Sequence, residues 1–292
     1  MAVDPEELEP LVALLDDRDT VVTELVNERL TSYGPEVVRS LRNRSEREMD
    51  QARKIQIIER ARMLNTEFKL ADLQDFVTRT PGPLSLFEGS WILSSLLDWT
   101  LQRERYEDLF YRCSGEYLAE GSDQRTGVEN IRILNHIFYH RLKFTLYDVQ
   151  LRDPQYASLS EALRTRGGNP FTLAFIYLMI CQIANLPVEL LCFPGGFVPA
   201  YVEGGKILFY INLYRGGDLF PQDRLDQFLN ATGLKIDKNA FRRRDESAML
   251  TLYLESLLYI YASRKNEHMN TLLDRALTIL GPERFLTIDE PE

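Results

Sequence analysis

The stretch Leu190–Gly217, LLCFPGGFVPAYVEGGKILFYINLYRGG, decides how this chain folds. With Val188 and Glu189 in front, it divides into three runs, VELLCF, FVPAYV and KILFYINL, rich in β-branched and aromatic residues. Pro-Gly-Gly separates the first two runs and Glu-Gly-Gly the last two. Short glycine-bearing breaks between strand-like runs predict an antiparallel ribbon. Just upstream, Phe171–Ala184 is an apolar run containing Thr172 and Gln182 that stops at Asn185 and Pro187. It is too short for a membrane span, which needs about 20 residues, so it predicts a buried helix packed on the ribbon.

The flanks read as helices. In LEPLVALLDDRDTVVTELVNERLTSYGPEVVRSL, Leu11, Leu14 and Leu15 form one apolar face and Val22, Leu25, Val26 and Leu30 the next. Asp19 or Thr20 caps the second helix, Gly34 ends it in a left-handed conformation and Pro35 opens the third. Such pairs resemble HEAT-like repeats. Ser45–Met63 places mixed charge around Ile55, Ile57 and Ile58, a solvated helix face in preference to a partner patch. TRTPGPLS (78–85) and AEGSDQRTG (119–127) are breakers, each followed by a helix, one through Trp91, Leu93, Leu96 and Leu97 and one in VENIRILNHIFYHRLKF. At the C-terminal end ESAMLTLYLESLLYIYASR and NTLLDRALTIL predict a helical hairpin. The fold class is therefore α+β, mostly helical: a helical region over 1–118, a core over 119–221 and a helical hairpin region over 222–292.

Composition narrows the function classes. The chain has 292 residues, with 44 acidic against 34 basic, for a net charge of −10. That balance argues against nucleic acid or an anionic membrane as partner, since phosphate binding needs a basic face. Cys113, Cys181 and Cys192 are too few and too scattered for a disulfide framework or a zinc knuckle. The start, MAVDPEELEP, lacks the basic-then-apolar layout of a signal peptide. A cytoplasmic protein in a reducing compartment is the expectation.

From Asn135 onward the order of features resembles the SirB-type family of bacterial transglutaminase-like proteins. The residues that carry the resemblance are Asn135, Phe138, Phe144, Asp153-Pro154, Leu159, Leu163, Arg166-Gly-Gly-Asn-Pro170, NLPV, FPGGF and YINLYRGG. The resemblance implies a papain-like core of one buried helix on a small antiparallel sheet. It also implies a Cys-His-Asp triad in which a helix N-terminus and a histidine lower the thiol pKa and an acid orients the histidine. At the matching positions this chain has Pro170 for the cysteine, Gly196 for the histidine and Asn212 for the acid. None of the three transfers a proton near neutrality. The resemblance thus implies a pseudoenzyme that acts by binding.

Other constellations compete with structural readings. Cys192 follows VELL on a strand, and Cys181 lies inside the apolar helix, where burial makes a thiol inert. His136 and His140 are four apart and could clasp a metal, but no acid lies between them and no third ligand is evident, so two ordinary histidines are favoured. Arg242, Arg243 and Arg244, just before a helix, could clamp a phosphate or acidic peptide; a solvated cluster paired with Asp237, Asp245 or Glu246 is the stronger reading. Tyr253, Tyr259 and Tyr261 form an aromatic stripe of the kind that packs a core. Gly168 and Asn169 have structural reasons, a sharp turn and a helix cap, with an anion site at the helix start as the functional counterpart.

The expected function is a non-catalytic protein- or peptide-binding or regulatory module, with no cofactor, no nucleic acid, no membrane and no signal of oligomeric state. The alternatives are a thiol-dependent amide hydrolase or acyltransferase using Cys192, an activity of an Asp or Glu in the altered cleft, and a structural subunit of a larger assembly.

Overall fold

The computed structural model describes residues 3–120, 125–147, 153–231 and 241–286, most of them helical. The chain divides into two compact units, residues 1–75 with 95–100, and residues 76–94 with 101–292. Part of the AEGSDQRTG breaker lies outside the described residues.

The first unit holds α1 (Pro5–Ala13), α2 (Thr20–Ser32), α3 (Glu36–Glu46) and most of α4 (Gln51–Arg79). Asp19 caps α2, its carboxylate accepting from the Val21 amide at 2.9 Å. Gly34 has φ +72°, and Pro35 leads into α3. Val26, Leu30, Val37, Leu41, Ile57, Ala61 and Leu64 share one buried cluster. Leu14 and Leu25, placed on apolar faces by their spacing, are exposed, because a thin helical layer covers a narrower stripe than those faces offer. The mixed-charge segment is not one helix. It breaks between Glu46 and Gln51, with Ile57 buried and Ile55 exposed.

The second unit begins with α5 (Leu86–Leu97, its last residues belonging to the first), α6 (Arg103–Ala119) and α7 (Gly127–Asn135), which continues as a π-helical turn at His136–Arg141. Strand β1 (Thr145–Leu146), α8 (Pro154–Ala157), α9 (Leu159–Thr165) and β2 (Gly167–Gly168) lead to α10 (Pro170–Ile183). Then come β3 (Val188–Phe193), β4 (Gly196–Glu203), β5 (Lys206–Asn212), β6 (Asp218–Phe220), α11 (Leu225–Ala231), β7 (Arg242–Arg244), α12 (Ala248–Ser263) and α13 (Glu267–Leu280). The main sheet runs β6-β5-β4-β3-β7, antiparallel throughout. The short β1 and β2 pair in parallel.

Helix α10 is apolar around its circumference because every side is covered, with Thr172 to Cys181 all buried. Phe175 stacks on Tyr253 of α12, ring centroids 4.4 Å apart. The Tyr253 hydroxyl donates to the Ala157 carbonyl at 2.8 Å and accepts from the Leu159 amide, tying α12 to α8 and α9. The two polar residues in the run are spoken for. Thr172 donates to the Ala157 carbonyl, and Gln182 bridges Ser85, the Phe87 amide and Glu246.

The sheet has two different faces. Leu191, Phe193, Val198, Ala200 and Tyr210 cluster on one with Leu229 of α11, Phe228 and Phe241. The alternate residues point the other way: Phe197 meets Phe171 of α10 at 5.8 Å, and the Tyr201 hydroxyl accepts from Asn130 of α7. Gly127 opens α7 against the Tyr201 ring, and a Cβ there would lie 2.5 Å from it.

The arginine run corrects the sequence reading. Arg242 and Arg243 are exposed, as a solvated cluster requires, but the run forms edge strand β7, paired Arg242 to Cys192, Arg243 to Leu191 and Arg244 to Leu190. The outer edge of β3 presents backbone groups that need partners, and satisfying them outweighs the modest strand propensity of arginine.

Candidate functional site

The site grows from two turns. Pro194-Gly195 joins β3 to β4 with Gly195 at φ +89°, the left-handed second position that a type II turn demands of glycine. Gly196 therefore pairs with Phe193 and shares its face; a Cβ at 196 would meet the Phe193 ring at 3.0 Å. At the far end of β5, Asn212 is two residues from Tyr210 and so lies on that same face. Its side-chain oxygen accepts from the Tyr214 amide at 3.1 Å and caps the 3-10 turn Leu213–Arg215.

Gly196 and Asn212 line one cavity of about 650 Å³, walled by Phe193, Phe197, Phe220 and Phe228 and edged by Tyr214, Arg215, Asp218, Arg224 and Gln227. Pro170 is not part of it. Pro170 opens α10 and is buried, and its neighbour Phe171 packs on Phe197, itself one of the cavity walls. Two of the three motif-matched positions line the cavity, and Pro170 is not among its lining residues.

The helix start itself is closed. Asn169 is 1% exposed, and its side-chain oxygen accepts from both the amide and the hydroxyl of Thr172 at 2.9 and 3.0 Å. Its own amide donates to the Tyr156 carbonyl, and the Gly168 carbonyl accepts from the Tyr147 amide. Gly168 is buried with the Ala162 methyl 3.3 Å from where its Cβ would be. Asn169→Ala is expected to cost about 1–2 kcal/mol, the usual value of a lost N-cap, read as a lower urea midpoint with an unchanged slope.

The thiols are inert by position. Cys192 is buried in β3, and burial pushes its thiol up to about 12; Cys113 in α6 is pushed up to about 12 for the same reason. Cys181, fully enclosed in α10, lies well above the ordinary thiol value, again through burial. Arg166 and Arg112 beside Cys113 and Arg244 beside Cys192 act to lower those thiols, but burial outweighs them.

His136 and His140 sit on the π-helical turn with ring centroids 5.5 Å apart, and both are exposed. Among the described residues no group of three His, Cys, Asp or Glu side chains is placed to hold a metal ion. The arginines of β7 diverge, as alternation along a strand requires. Arg243 grips the Glu189 carboxylate with two guanidinium nitrogens and donates to the Gly205 carbonyl, while Arg244 pairs with Glu283 at 2.7 Å. Arg242 donates to the Phe241 carbonyl. Asp237, offered as a partner, lies outside the described residues.

Two features of the site were not read from the sequence as parts of it. Arg215 reaches the cavity from the YINLYRGG motif, where it was given no role, and Arg224 from a segment that no motif singled out. Asn135 fixes the cavity from behind: its amide nitrogen donates to the Gly217 carbonyl and its oxygen accepts from the buried Tyr177 hydroxyl, both at 2.8 Å.

A family model described as the transglutaminase-like superfamily matches residues 104–254, the span from α6 through the sheet and cavity into α12. No curated protein and no solved structure matched the chain.

Proposed function

Because the chain belongs to the transglutaminase-like superfamily, we propose that it is a non-catalytic, SirB-type member that binds an extended protein or peptide segment in the cavity beside Gly196 and Asn212. One observation carries this reading: the cavity holds the two matched positions, a glycine and an amide, and neither a thiol nor an imidazole opens into it. Its size falls within the range of pockets that enclose ligands. Strand β6 is the edge of the sheet, and Asp218, Leu219 and Phe220 all line the cavity. A peptide can therefore add backbone hydrogen bonds at that edge while its side chains enter the aromatic walls.

The test is selection of displayed random peptides on the immobilised full chain. Peptides are expected to enrich and to lose binding in Gly196→Leu, whose side chain fills the cavity, with the melting temperature checked in parallel. No enrichment, or enriched peptides that bind the variant equally, would sink the reading.

The thiol-enzyme alternative makes the opposite prediction. A thiol pKa near 12 leaves about three orders of magnitude less thiolate at neutral pH than an ordinary cysteine. Native protein is expected to resist iodoacetamide at pH 7 and to label three cysteines only on unfolding. Rapid, single-site labelling of Cys192 in the native protein would restore that alternative.

A further inference from the structure

We infer that the segment bound in this cavity is acidic, with its carboxylates held by Arg215 and Arg224 and an aromatic or aliphatic side chain between the phenylalanines. The inference rests on the binding reading and adds the chemical class of the partner.

Carboxylates outnumber cations in this chain, 44 to 34, and several of its arginines are taken up by them. Arg44, Arg103, Arg141, Arg164, Arg243 and Arg244 each hold an acidic side chain. What sets Arg215 and Arg224 apart is their place at the cavity. Both are exposed, both line the cavity, and neither pairs with an acid among the described residues. Among the described residues Asp218 is the single acid of the lining, so these residues give the cavity a local positive balance inside a protein of net charge −10. An acidic ligand meets repulsion from the protein as a whole and attraction at this spot, which concentrates recognition there.

Guanidinium groups accept carboxylates in a planar two-point geometry, and the strength of that pairing grows beside low-dielectric walls. Here the walls are aromatic. Phe220 and Phe228 stack with ring centroids 4.9 Å apart, and Phe193 and Phe197 complete the lining. Arg215 follows β5 and Arg224 precedes α11, so they flank edge strand β6 in the sequence. An extended segment along β6 would bring alternate side chains to the same face, matching a spaced pair of carboxylates with an apolar residue between them.

The experiment uses the peptides selected on the full chain, made with a fluorescent label, and their counterparts with every Glu and Asp changed to Gln and Asn. Binding is read by anisotropy at physiological salt. The enriched peptides are expected to be acidic, and neutralising them should weaken binding about tenfold or more, the equivalent of about 1.4 kcal/mol. The double variant Arg215→Gln/Arg224→Gln should bind acidic and neutral peptides alike while keeping the wild-type melting temperature. Enriched peptides without acidic excess, or a double variant that still prefers the acidic form, would overturn the inference and leave the binding reading in place. A complex that equimolar inorganic phosphate dissociates would reassign the arginines to a phosphate ligand and overturn it too. A library that yields no binder brings down both.

Discussion

Gly217→Ala is expected to destabilise the protein by about 3–5 kcal/mol, whereas Gly216→Ala, one residue earlier, costs only about 1–2 kcal/mol. Both glycines have left-handed backbones, φ +62° at Gly216 and +80° at Gly217, so both pay the steric penalty of a side chain in that region. Their surroundings differ. A Cβ at 216 meets nothing within 4 Å, but one at 217 would lie 2.3 Å from the Asn135 side-chain oxygen and 2.5 Å from its carbon and nitrogen. Asn135 cannot yield without releasing the Gly217 carbonyl and the hydroxyl of Tyr177, which is fully buried. An unpaired buried hydroxyl adds about 1–3 kcal/mol. Thermal melts should therefore place Gly217→Ala roughly 10 °C below wild type at a few degrees per kcal/mol. Asn135→Ala in the same chain should recover part of that loss, because the two sites share one set of contacts. Equal melting of the two glycine variants would show that the Asn135 clasp does not hold the rim of the cavity.

That clasp also shows where the sequence stops being informative. The strands VELLCF and KILFYIN were legible because glycine turns cut them cleanly and β-branched residues fill them. Helix α10 was legible because an apolar run too short for a membrane must be enclosed. Strand β7 was not: three arginines carry no strand pattern, and what recruits them is the bare edge of β3, some fifty residues away in sequence. The same distance problem hides the site. Asn135 and Gly217 are 82 residues apart, and Arg215 reads as an ordinary loop charge until β5, β6 and α11 set it against Arg224. Motif matching names Gly196 and Asn212, which line one cavity, but it has no access to the cavity's other walls. Local pattern specifies elements; pairing across the sheet specifies the cavity.

Glu255 is the second such residue, a lone acid in the apolar stripe of α12, and its removal is expected to cost about 2–4 kcal/mol. It is 1% exposed, and its two oxygens accept from the amides of Phe285 and Leu286 at 3.0 to 3.1 Å. The Phe285 carbonyl in turn accepts from the Gly195 amide, at the turn that rims the cavity. One carboxylate thus pins the segment after α13 to both the helix and the site. In Glu255→Ala the amides of Phe285 and Leu286 lose their acceptor, and their hydrogen exchange should accelerate toward that of free chain. Unchanged protection would remove Glu255 from this role. Burial raises its carboxyl pKa, against the lowering effect of the two amides and of Arg284. The folded state then binds this proton more tightly than the unfolded state, so the contribution is fullest below the unfolded value, about 4.3, and is lost as pH rises through the raised folded value. Glu48, Glu129 and Glu161, whose pKa values are lowered by hydrogen bonds from backbone or arginine, slope the other way and are common to both proteins being compared. The difference between wild type and Glu255→Gln isolates the single group. The glutamine loses one acceptor at every pH, a constant penalty, but it carries no buried charge. Its stability relative to wild type should therefore improve as pH rises from roughly 4 to 8. A flat difference, or one that worsens with pH, would mean that the amides outweigh burial and that the carboxylate is held charged by choice of the fold.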